Sequence, residues 1–239
     1  MTHRANSFQQ KNMTTIIEMK KCFLLFTLYF LLFTCIAQVN DAWLWTRFRI
    51  EKMFSETFSI SLREEFRFDE NISELGGHLT DIGATYTPKK FIAFGVHYRF
   101  SGRKRLNDSY NQRHRYYLQV SLKGKADKLS VTLRNRYQSQ YTDIYTRENG
   151  QTPTNLWRTK LTMKLVSKKK IAPFISTEWF YRLNDREFND FEKMRYIAGL
   201  EYQVDKRNRV DLFYLIQSKL NDANPRTDYV SGIGYKYAF

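Results

Sequence analysis

The chain ends in YVSGIGYKYAF (residues 229–239), in which large apolar residues alternate with small or polar ones. Counting back from Phe239, the apolar positions are Tyr237, Tyr235 and Ile233. This period of two is typical of a β-strand with one apolar face. Chain ends usually fray, and an apolar edge strand invites aggregation, so a terminal strand of this kind needs partners on both sides. A closed barrel has no free edge, and this stretch therefore predicts that the chain ends within one.

Residues 19–38 (MKKCFLLFTLYFLLFTCIAQ) predict export from the cytoplasm. Two lysines precede an apolar run, and small residues follow it up to Ala37, which is the layout of a cleaved secretory signal peptide. The apolar run is shorter than the roughly 20 residues that a membrane-spanning helix needs. We therefore expect a signal peptide over 1–37, with Met19 as an alternative start, and one domain over 38–239.

The composition excludes several classes of function. Both cysteines, Cys22 and Cys35, lie in the expected signal peptide, so the mature chain has no thiol for a disulfide, a metal site or a nucleophile. The net charge is +15, and it stays at +12 when the four basic residues and one acidic residue of the signal peptide are removed. Such a charge would suggest nucleic acid in a cytosolic protein, but for an exported one we expect no nucleic-acid partner. No phosphate-binding loop, nucleophile elbow, zinc-protease or calcium-loop motif occurs, and we expect no metal and no cofactor.

Alternation with period two continues from Trp43 to the end of the chain, and its segments suit a membrane barrel. Many run for about 10 to 12 residues, which fits tilted membrane strands better than ordinary strands of about 5 or 6. Short basic turns alternate with longer polar loops, as when one rim faces the periplasm and the other the exterior. We predict a transmembrane antiparallel up-and-down β-barrel of about 10–12 strands. The segments are 42–52, 57–68, 78–87, 91–100, 115–122, 129–137, 156–166, 172–181, 193–204, 209–218 and 228–239. Because antiparallel closure needs an even number, these eleven segments leave ten or twelve strands open.

The second face of these segments carries charge, which argues against a soluble β-sandwich. Buried charges are tolerated only when they are paired with opposite charges or hydrated, and the lumen of a barrel allows both pairing and hydration. We expect an inward-facing charge network made of Arg47, Arg49, Arg63, Glu65, Arg67, Arg99, Arg115, Arg134, Arg136, Arg158, Glu178, Arg195 and Glu201. Glu64 falls on the apolar face instead, where a charge is costly at mid-depth, and a nearby β-bulge would turn it inward.

Two opposed roles follow from an arginine-rich lumen. The pairs Arg47/Arg49 and Arg134/Arg136 would brace the lumen against Glu65, Glu178 and Glu201 in bidentate ion pairs. If the lumen were open, the same arginines would favour anions. We expect a filled lumen, because a barrel of this size is narrow and the side chains are long. A third hypothesis, a lipid-modifying enzyme, would rest on His97 and Ser101, which form no motif of a known hydrolase.

The mature sequence is similar to the DUF2490 proteins of Bacteroidetes-type bacteria, a family without an assigned activity. AWLWTRFRIEK (42–52), SLREEFRF (61–68) and TDYVSGIGYKYAF (227–239) are among the stretches that carry the resemblance. It implies a small outer-membrane barrel. The ending also resembles that of outer-membrane barrels, whose last strand finishes in Phe and is read by the assembly machinery. Tyr235, Tyr237 and Phe239 would then be the assembly signal, and the partners would be outer-membrane lipid and that machinery, with the protein itself a monomer.

Overall fold

The computed structural model describes residues 42–104, 109–142, 153–166, 170–184, 190–221 and 226–239. The predicted signal peptide lies outside these residues. Within them, no helix has the length and apolar character needed to cross a membrane.

All eleven alternating segments form β-strands, as the sequence predicted. Several strands are longer than the apolar pattern, because backbone hydrogen bonds continue a ladder whatever the side chains are. The fifth, predicted over 115–122, is an example. The strands are β1 (Ala42–Met53), β2 (Phe58–Asp69), β3 (Glu74–Lys89), β4 (Ile92–Lys104), β5 (Tyr110–Ala126), β6 (Leu129–Thr142), β7 (Thr154–Leu165), β8 (Ile171–Arg182), β9 (Phe191–Gln203), β10 (Asn208–Lys219) and β11 (Thr227–Ala238).

The eleven strands close into one barrel, which confirms the predicted fold. Sequential neighbours pair antiparallel, whereas β1 pairs with β11 in parallel, from Ala42 opposite Tyr229 to Glu51 opposite Ala238. The expectation that closure requires ten or twelve strands was therefore wrong. A parallel seam lets an odd number close, because the first and last strands then run in the same direction.

The seam also explains how the chain can end on Phe239. Its backbone N–H donates to the Glu51 carbonyl at 3.0 Å, and its carbonyl accepts from the Met53 N–H at 2.9 Å. The Phe239 ring stacks on Tyr237 with centroids 5.4 Å apart, and Lys52 Nζ lies 4.5 Å from its centre. The last residue is thus bonded into the barrel wall and does not fray.

The connections differ between the two rims. At the short-turn rim lie the connections 54–57, 90–91, 127–128 and 204–207, and β7 ends there where β8 begins. At the long-loop rim lies the connection 70–73, and β4, β6, β8 and β10 end there where β5, β7, β9 and β11 begin. The connection 70–73 is much shorter than the gap 69–77 between the predicted segments 57–68 and 78–87, because only four residues separate β2 from β3. It turns tightly through positive φ angles at Glu70, Asn71 and Ile72.

The outer and inner faces of the wall have opposite chemistry. Outward positions are exposed and apolar, for example Leu118 at 56% and Ile175 at 59% exposure. Glu64 shares this outer face, because the register shift of β2 lies further on, between Arg67 and Phe68. The bulge expected to turn Glu64 inward does not occur there. Its carboxylate instead accepts a 3.0 Å hydrogen bond from the Thr80 hydroxyl, which satisfies one oxygen on the lipid-facing side.

One sector of the lumen is apolar, which the alternating charges did not predict. Trp43, Trp45, Phe213, Leu215 and Val230 form a buried cluster on the inner face of β1, β10 and β11. Gly232 makes room for it, since a Cβ atom there would lie 1.9 Å from the Phe213 ring.

Candidate functional site

A layer of buried side chains lies in the middle of the lumen, and we call it the waist. Its members come from β2 through β8 and are each only 1–6% exposed. They are Glu65, Asp81, Arg99, Tyr117, Arg136, Gln138, Arg158 and Glu178. The apolar cluster on β1, β10 and β11 covers the remaining side. Side chains this little exposed are packed against their neighbours, so the layer is tightly packed.

Glu178 is the most heavily paired acid of the waist. Its Oε1 accepts hydrogen bonds from Arg134 Nη2 at 2.7 Å and from Arg158 Nη2 and Nε at 2.8 and 3.2 Å. Arg195 Nη1 lies 3.9 Å from its Oε2. Arg134 reaches Glu178 across the intervening strand β7, so the cluster ties β6, β7, β8 and β9 together. Of the Arg134/Arg136 pair, only Arg134 contacts Glu178, and Arg158 directs two N–H groups at one oxygen of that carboxylate.

Asp81 organises a second cluster on β2 through β5. It accepts from Arg99 Nε at 2.8 Å, from Arg63 Nη2 at 3.3 Å and from the Tyr117 hydroxyl at 2.5 Å. His97 Nδ1 lies 3.3 Å from its other oxygen, and the His97 ring stacks on Tyr117 at 4.6 Å. Charge-assisted hydrogen bonds of this kind are stronger than neutral ones, so the cluster fixes the orientation of every member.

The structure does not bring His97 and Ser101 together. Both lie on the inner face of β4, four residues apart, which is about 13 Å along a strand. The contacts of His97 are Asp81, Tyr117 and Gln119. Its described surroundings are those of a packed structural side chain.

The remaining predicted network members point inward but have varied partners. Glu65 accepts from Arg67 Nε and Nη2 at 2.8 and 2.6 Å, again on one oxygen. Arg136 donates a hydrogen bond to the Gln119 amide oxygen at 2.8 Å, and Arg115 donates one to the Gln140 amide oxygen. Both arginines are therefore hydrogen-bonded to neutral side chains.

Below the waist, towards the short turns, the pairs are more exposed. Arg47 meets Asp211, an inward-facing acid of β10, at 3.3 Å. Arg49 lies 3.7 Å from Glu51, and Glu201 is held by Lys164 at 3.1 Å and Arg209 at 3.3 Å. The Arg47/Arg49 pair thus meets Asp211 and Glu51 and not Glu65, Glu178 or Glu201. Glu65 stands opposite Arg47 on β2 but is bound by Arg67, and Asp211 reaches Arg47 across Gly234 of β11.

Aromatic rings in the lumen are the functional residues that sequence reasoning missed. Guanidinium groups lie over them: Arg67 over Trp45 at 4.0 Å, Arg136 over Tyr117 at 3.8 Å and Arg158 over Phe180 at 4.1 Å. Parity was the available signal, since Trp43 and Trp45 alternate in step with Arg47 and Arg49. Cation–π contacts allow arginines to be packed where acids are too few to pair with them all.

Between the waist and the long-loop rim lies a cavity of about 260 Å³, which we call the cup. Its lining contains two carboxylates, Glu192 and Asp228, against eleven basic side chains. Asp228 pairs with Arg226 at 2.6 Å, and Glu192 with Lys193 at 2.9 Å. The basic lining residues are Arg67, Arg99, Arg103, Arg113, Arg115, Arg158, Arg182, Lys193, Arg195, Lys219 and Arg226. The part of the chain that the structure describes holds no group of three or more His, Cys, Asp or Glu suited to a metal ion.

Comparison with known proteins agrees with this architecture. A family described as "Protein of unknown function (DUF2490)" matches residues 43–228. The β-domain of the Bordetella autotransporter BrkA shares the fold, with 12% identity, a TM-score of 0.51, and 78% of this chain and 86% of that one covered. The NanC porin does so with 13% identity, a TM-score of 0.51, and 83% and 99% covered. No curated protein matches the sequence. At such identities, the two structures show a common barrel fold.

Proposed function

The chain belongs to the DUF2490 family, and we propose that this member is an integral outer-membrane barrel that is shut at the waist and binds small anions in its cup. The observation that carries this proposal is the pairing of a buried waist with a strongly basic cavity directly above it. The long-loop rim, and with it the cup, faces the exterior.

The outer face supports insertion into the outer membrane. Its exposed belt of apolar and aromatic side chains would cost free energy in water and gains it in lipid. Outer-membrane lipid is therefore the main partner, reached after export by a signal peptide cleaved near Ala37. The barrel assembly machinery recognises the terminal strand through Tyr235, Tyr237 and Phe239. With all strands paired within one chain, the barrel functions as a monomer.

The waist supports a closed lumen. Opening it would separate Glu178 from its arginines and Asp81 from Arg99, and each buried ion pair that loses a partner costs several kcal/mol. An anion-preferring pore is the alternative, since one protein with this fold is named a porin. The alternative requires the buried layer to move aside without a compensating contact.

The charge of the cup supports anion binding. Eleven basic side chains and two carboxylates line one small cavity. Four of the eleven also contact the three waist acids Glu65, Asp81 and Glu178, so the basic side chains still outnumber the acids around the cup. Low-dielectric walls focus such a field, so the local concentration of anions rises above that in bulk. Arg115 is the best-placed anchor, because its hydrogen-bond partner Gln140 is neutral and leaves the guanidinium charge uncompensated there.

Planar-bilayer recording tests closure. We expect the purified, folded protein to carry no steady current of porin size. A steady current that is anion-selective and falls in Arg134→Ala and Arg136→Ala would establish the pore instead.

Isothermal titration with inorganic phosphate, at constant ionic strength in detergent micelles, tests the cup. We expect binding that weakens about tenfold or more in Arg115→Gln, since hydrogen bonds to charged groups contribute about 1.5–3 kcal/mol. Arg49→Gln is the matched control, because Arg49 points into the same lumen below the waist and does not line the cup. Equal loss in both variants, or no binding by the parent protein, would refute an anion-binding cup.

A further inference from the structure

The charge of the cup is distributed unevenly around its wall. The two carboxylates that line it belong to Glu192 on β9 and Asp228 on β11, the two neighbours of β10. In the closed ring of eleven strands, β4 and β5 each lie five strands away from β10. The lining acids therefore stand on one side of the cup, and the wall formed by β4 and β5 stands opposite them.

The wall opposite the acids carries four arginines, which we call the basic wall. Arg99 and Arg103 on β4 and Arg113 and Arg115 on β5 all line the cup. Arg115 stands directly opposite Arg99 in the strand register, and like charges at such positions destabilise a sheet. Arg113 lies on the same face of β5, about 7 Å along the strand. Arg115 thus has a positively charged neighbour on each strand of this wall.

The surroundings of Arg115 supply little compensating charge. Its guanidinium group donates to the neutral Gln140 amide. Asp81 binds Arg99 beneath the cup at 2.8 Å, and Glu192, on the far side of the cup, has an ion pair of its own. Arg115 is half-buried and lines the cavity, so an anion in the cup can reach it. The inner positions that adjoin the basic wall on β3, β4 and β6 are neutral, and they include Gly77, Leu79, Ser101, Gln138 and Gln140.

A phosphate group with two negative charges fits this wall better than a monovalent anion does. In a cavity with low-dielectric walls, a single negative charge balances one guanidinium group and leaves the next one repelled. A divalent phosphate balances two, and its terminal oxygens accept hydrogen bonds from several guanidinium groups at once. We propose that the cup binds a divalent phosphate group, free or as a monoester, held by Arg115 together with Arg99 and Arg113. This inference rests on the anion-binding cup proposed above and adds the class of ligand and its place in the cavity.

Titration calorimetry of the membrane-extracted protein in detergent micelles tests the charge of the ligand, with inorganic phosphate, methyl phosphate and dimethyl phosphate as probes at constant ionic strength. At about pH 8, methyl phosphate carries two charges, because the second pKa of a phosphate monoester is about 6. Dimethyl phosphate has the same tetrahedral centre and one charge. We expect methyl phosphate to bind at least about tenfold tighter than dimethyl phosphate, since charge-assisted hydrogen bonds are about twice as strong as neutral ones. Whichever of inorganic phosphate and methyl phosphate binds more tightly identifies the ligand as free phosphate or a monoester.

The variant Gln140→Glu supplies the missing negative charge from the protein itself. It places a carboxylate where the Gln140 amide oxygen accepts from Arg115, with almost no change in side-chain volume. We expect methyl phosphate to bind about tenfold more weakly, because the carboxylate takes up a charged hydrogen bond that the ligand would make. Gln119→Glu is the matched control, since Gln119 accepts from Arg136 at 2.8 Å and does not line the cup. Heat-modifiable migration in gels shows that each variant is folded.

The outcomes separate the two proposals. Dimethyl phosphate that binds as tightly as methyl phosphate would overturn the inference, and so would equal methyl phosphate binding by Gln140→Glu and Gln119→Glu. Phosphate binding that weakens in Arg115→Gln would keep the anion-binding cup in either case. Absence of all anion binding by the parent protein would overturn both.

Discussion

At the scale of single residues, this barrel keeps charge inside by giving each buried acid several donors. Glu178 has three arginines around it, and Asp81 has two arginines, a tyrosine and a histidine. Acids nearer the short-turn rim, such as Glu201, have fewer buried partners and remain partly exposed. The contribution of an acid to stability should therefore depend on its height in the lumen.

Glu178→Gln should destabilise the barrel by about 3–5 kcal/mol, because it leaves buried arginines without their counter-charge. Urea unfolding of the protein in detergent micelles, followed by tryptophan fluorescence, measures this loss. Glu201→Gln is the matched control. Its side chain is 19% exposed and its partners Lys164 and Arg209 can turn to water, so we expect a loss of about 1 kcal/mol. Equal losses in the two variants would contradict a dry waist.

At the scale of the strand, the period of two assigns each side chain to lipid or lumen. On β5 and β6, Leu118 and Val131 face outward, whereas Ser121 and Thr132 face inward and lie beside Arg134 and Lys123 in register. The same substitution therefore places its side chain against lipid at one position and in the polar lumen at another position of the same strand.

Leu118→Arg should block stable insertion, since an arginine at the bilayer midplane costs about 2–4 kcal/mol on the lipid face. Val131→Arg should cost less, because Val131 lies near the short-turn rim and the cost falls towards the interface. Ser121→Arg and Thr132→Arg place the same charge in the polar lumen and should be tolerated better. The fraction of protein that resists alkaline carbonate washing of membranes gives the comparison. Equal damage from both sets would mean that both faces are buried in protein, as in a sandwich.

The terminal strand β11 has a second role beyond closure. We expect Phe239→Lys to abolish outer-membrane assembly without reducing export, because it removes the terminal aromatic and keeps the backbone bonds to Glu51 and Met53. Phe54→Lys is the matched control, since Phe54 is an exposed aromatic in the short-turn connection 54–57. Membrane-resident, heat-modifiable protein shows assembly, and total protein outside the cytoplasm shows export. Normal assembly of Phe239→Lys would rule out an assembly signal at this residue.

At the scale of the whole molecule, the parallel seam determines where the strand ends lie. Because β1 and β11 run in the same direction, β1 begins at the long-loop rim and β11 ends at the short-turn rim. An even, fully antiparallel barrel would place both ends at one rim. Parallel pairing is slightly weaker per residue, and the ion pair between Lys236 and Glu51 supports this seam from the lumen.

Cysteine labelling on intact cells with a membrane-impermeant maleimide tests the seam. We expect Ala42→Cys to react like Ser73→Cys in the long-loop rim, whereas Lys90→Cys in the short-turn rim stays protected. The natural cysteines, Cys22 and Cys35, are expected to leave with the signal peptide, so the background is low. Reaction of Ala42→Cys only after cell lysis, together with Lys90→Cys, would mean that the chain closes with an even number of strands.

The sequence by itself determined the strands, the two faces and the barrel class. Period-two alternation is a property of neighbouring residues, so it can be read locally, and it placed Glu178, Arg158 and Phe239 on their correct faces. It missed the apolar sector because Trp43 and Trp45 were not assigned a side, although their parity with Arg47 already indicated the lumen.

Only the tertiary structure decided the seam, the partners and the cup. Whether β1 meets β11 in parallel depends on the register accumulated around the whole ring, over nearly two hundred residues of chain. Whether Arg47 pairs with Glu65, which faces it on β2, or with Asp211, which lies across β11, depends on distances between strands, which alternation along one strand does not contain. The basic lining of the cup likewise becomes visible only when eleven strands bring their inner faces together, because the residues that line a cavity are neighbours in space and not in sequence.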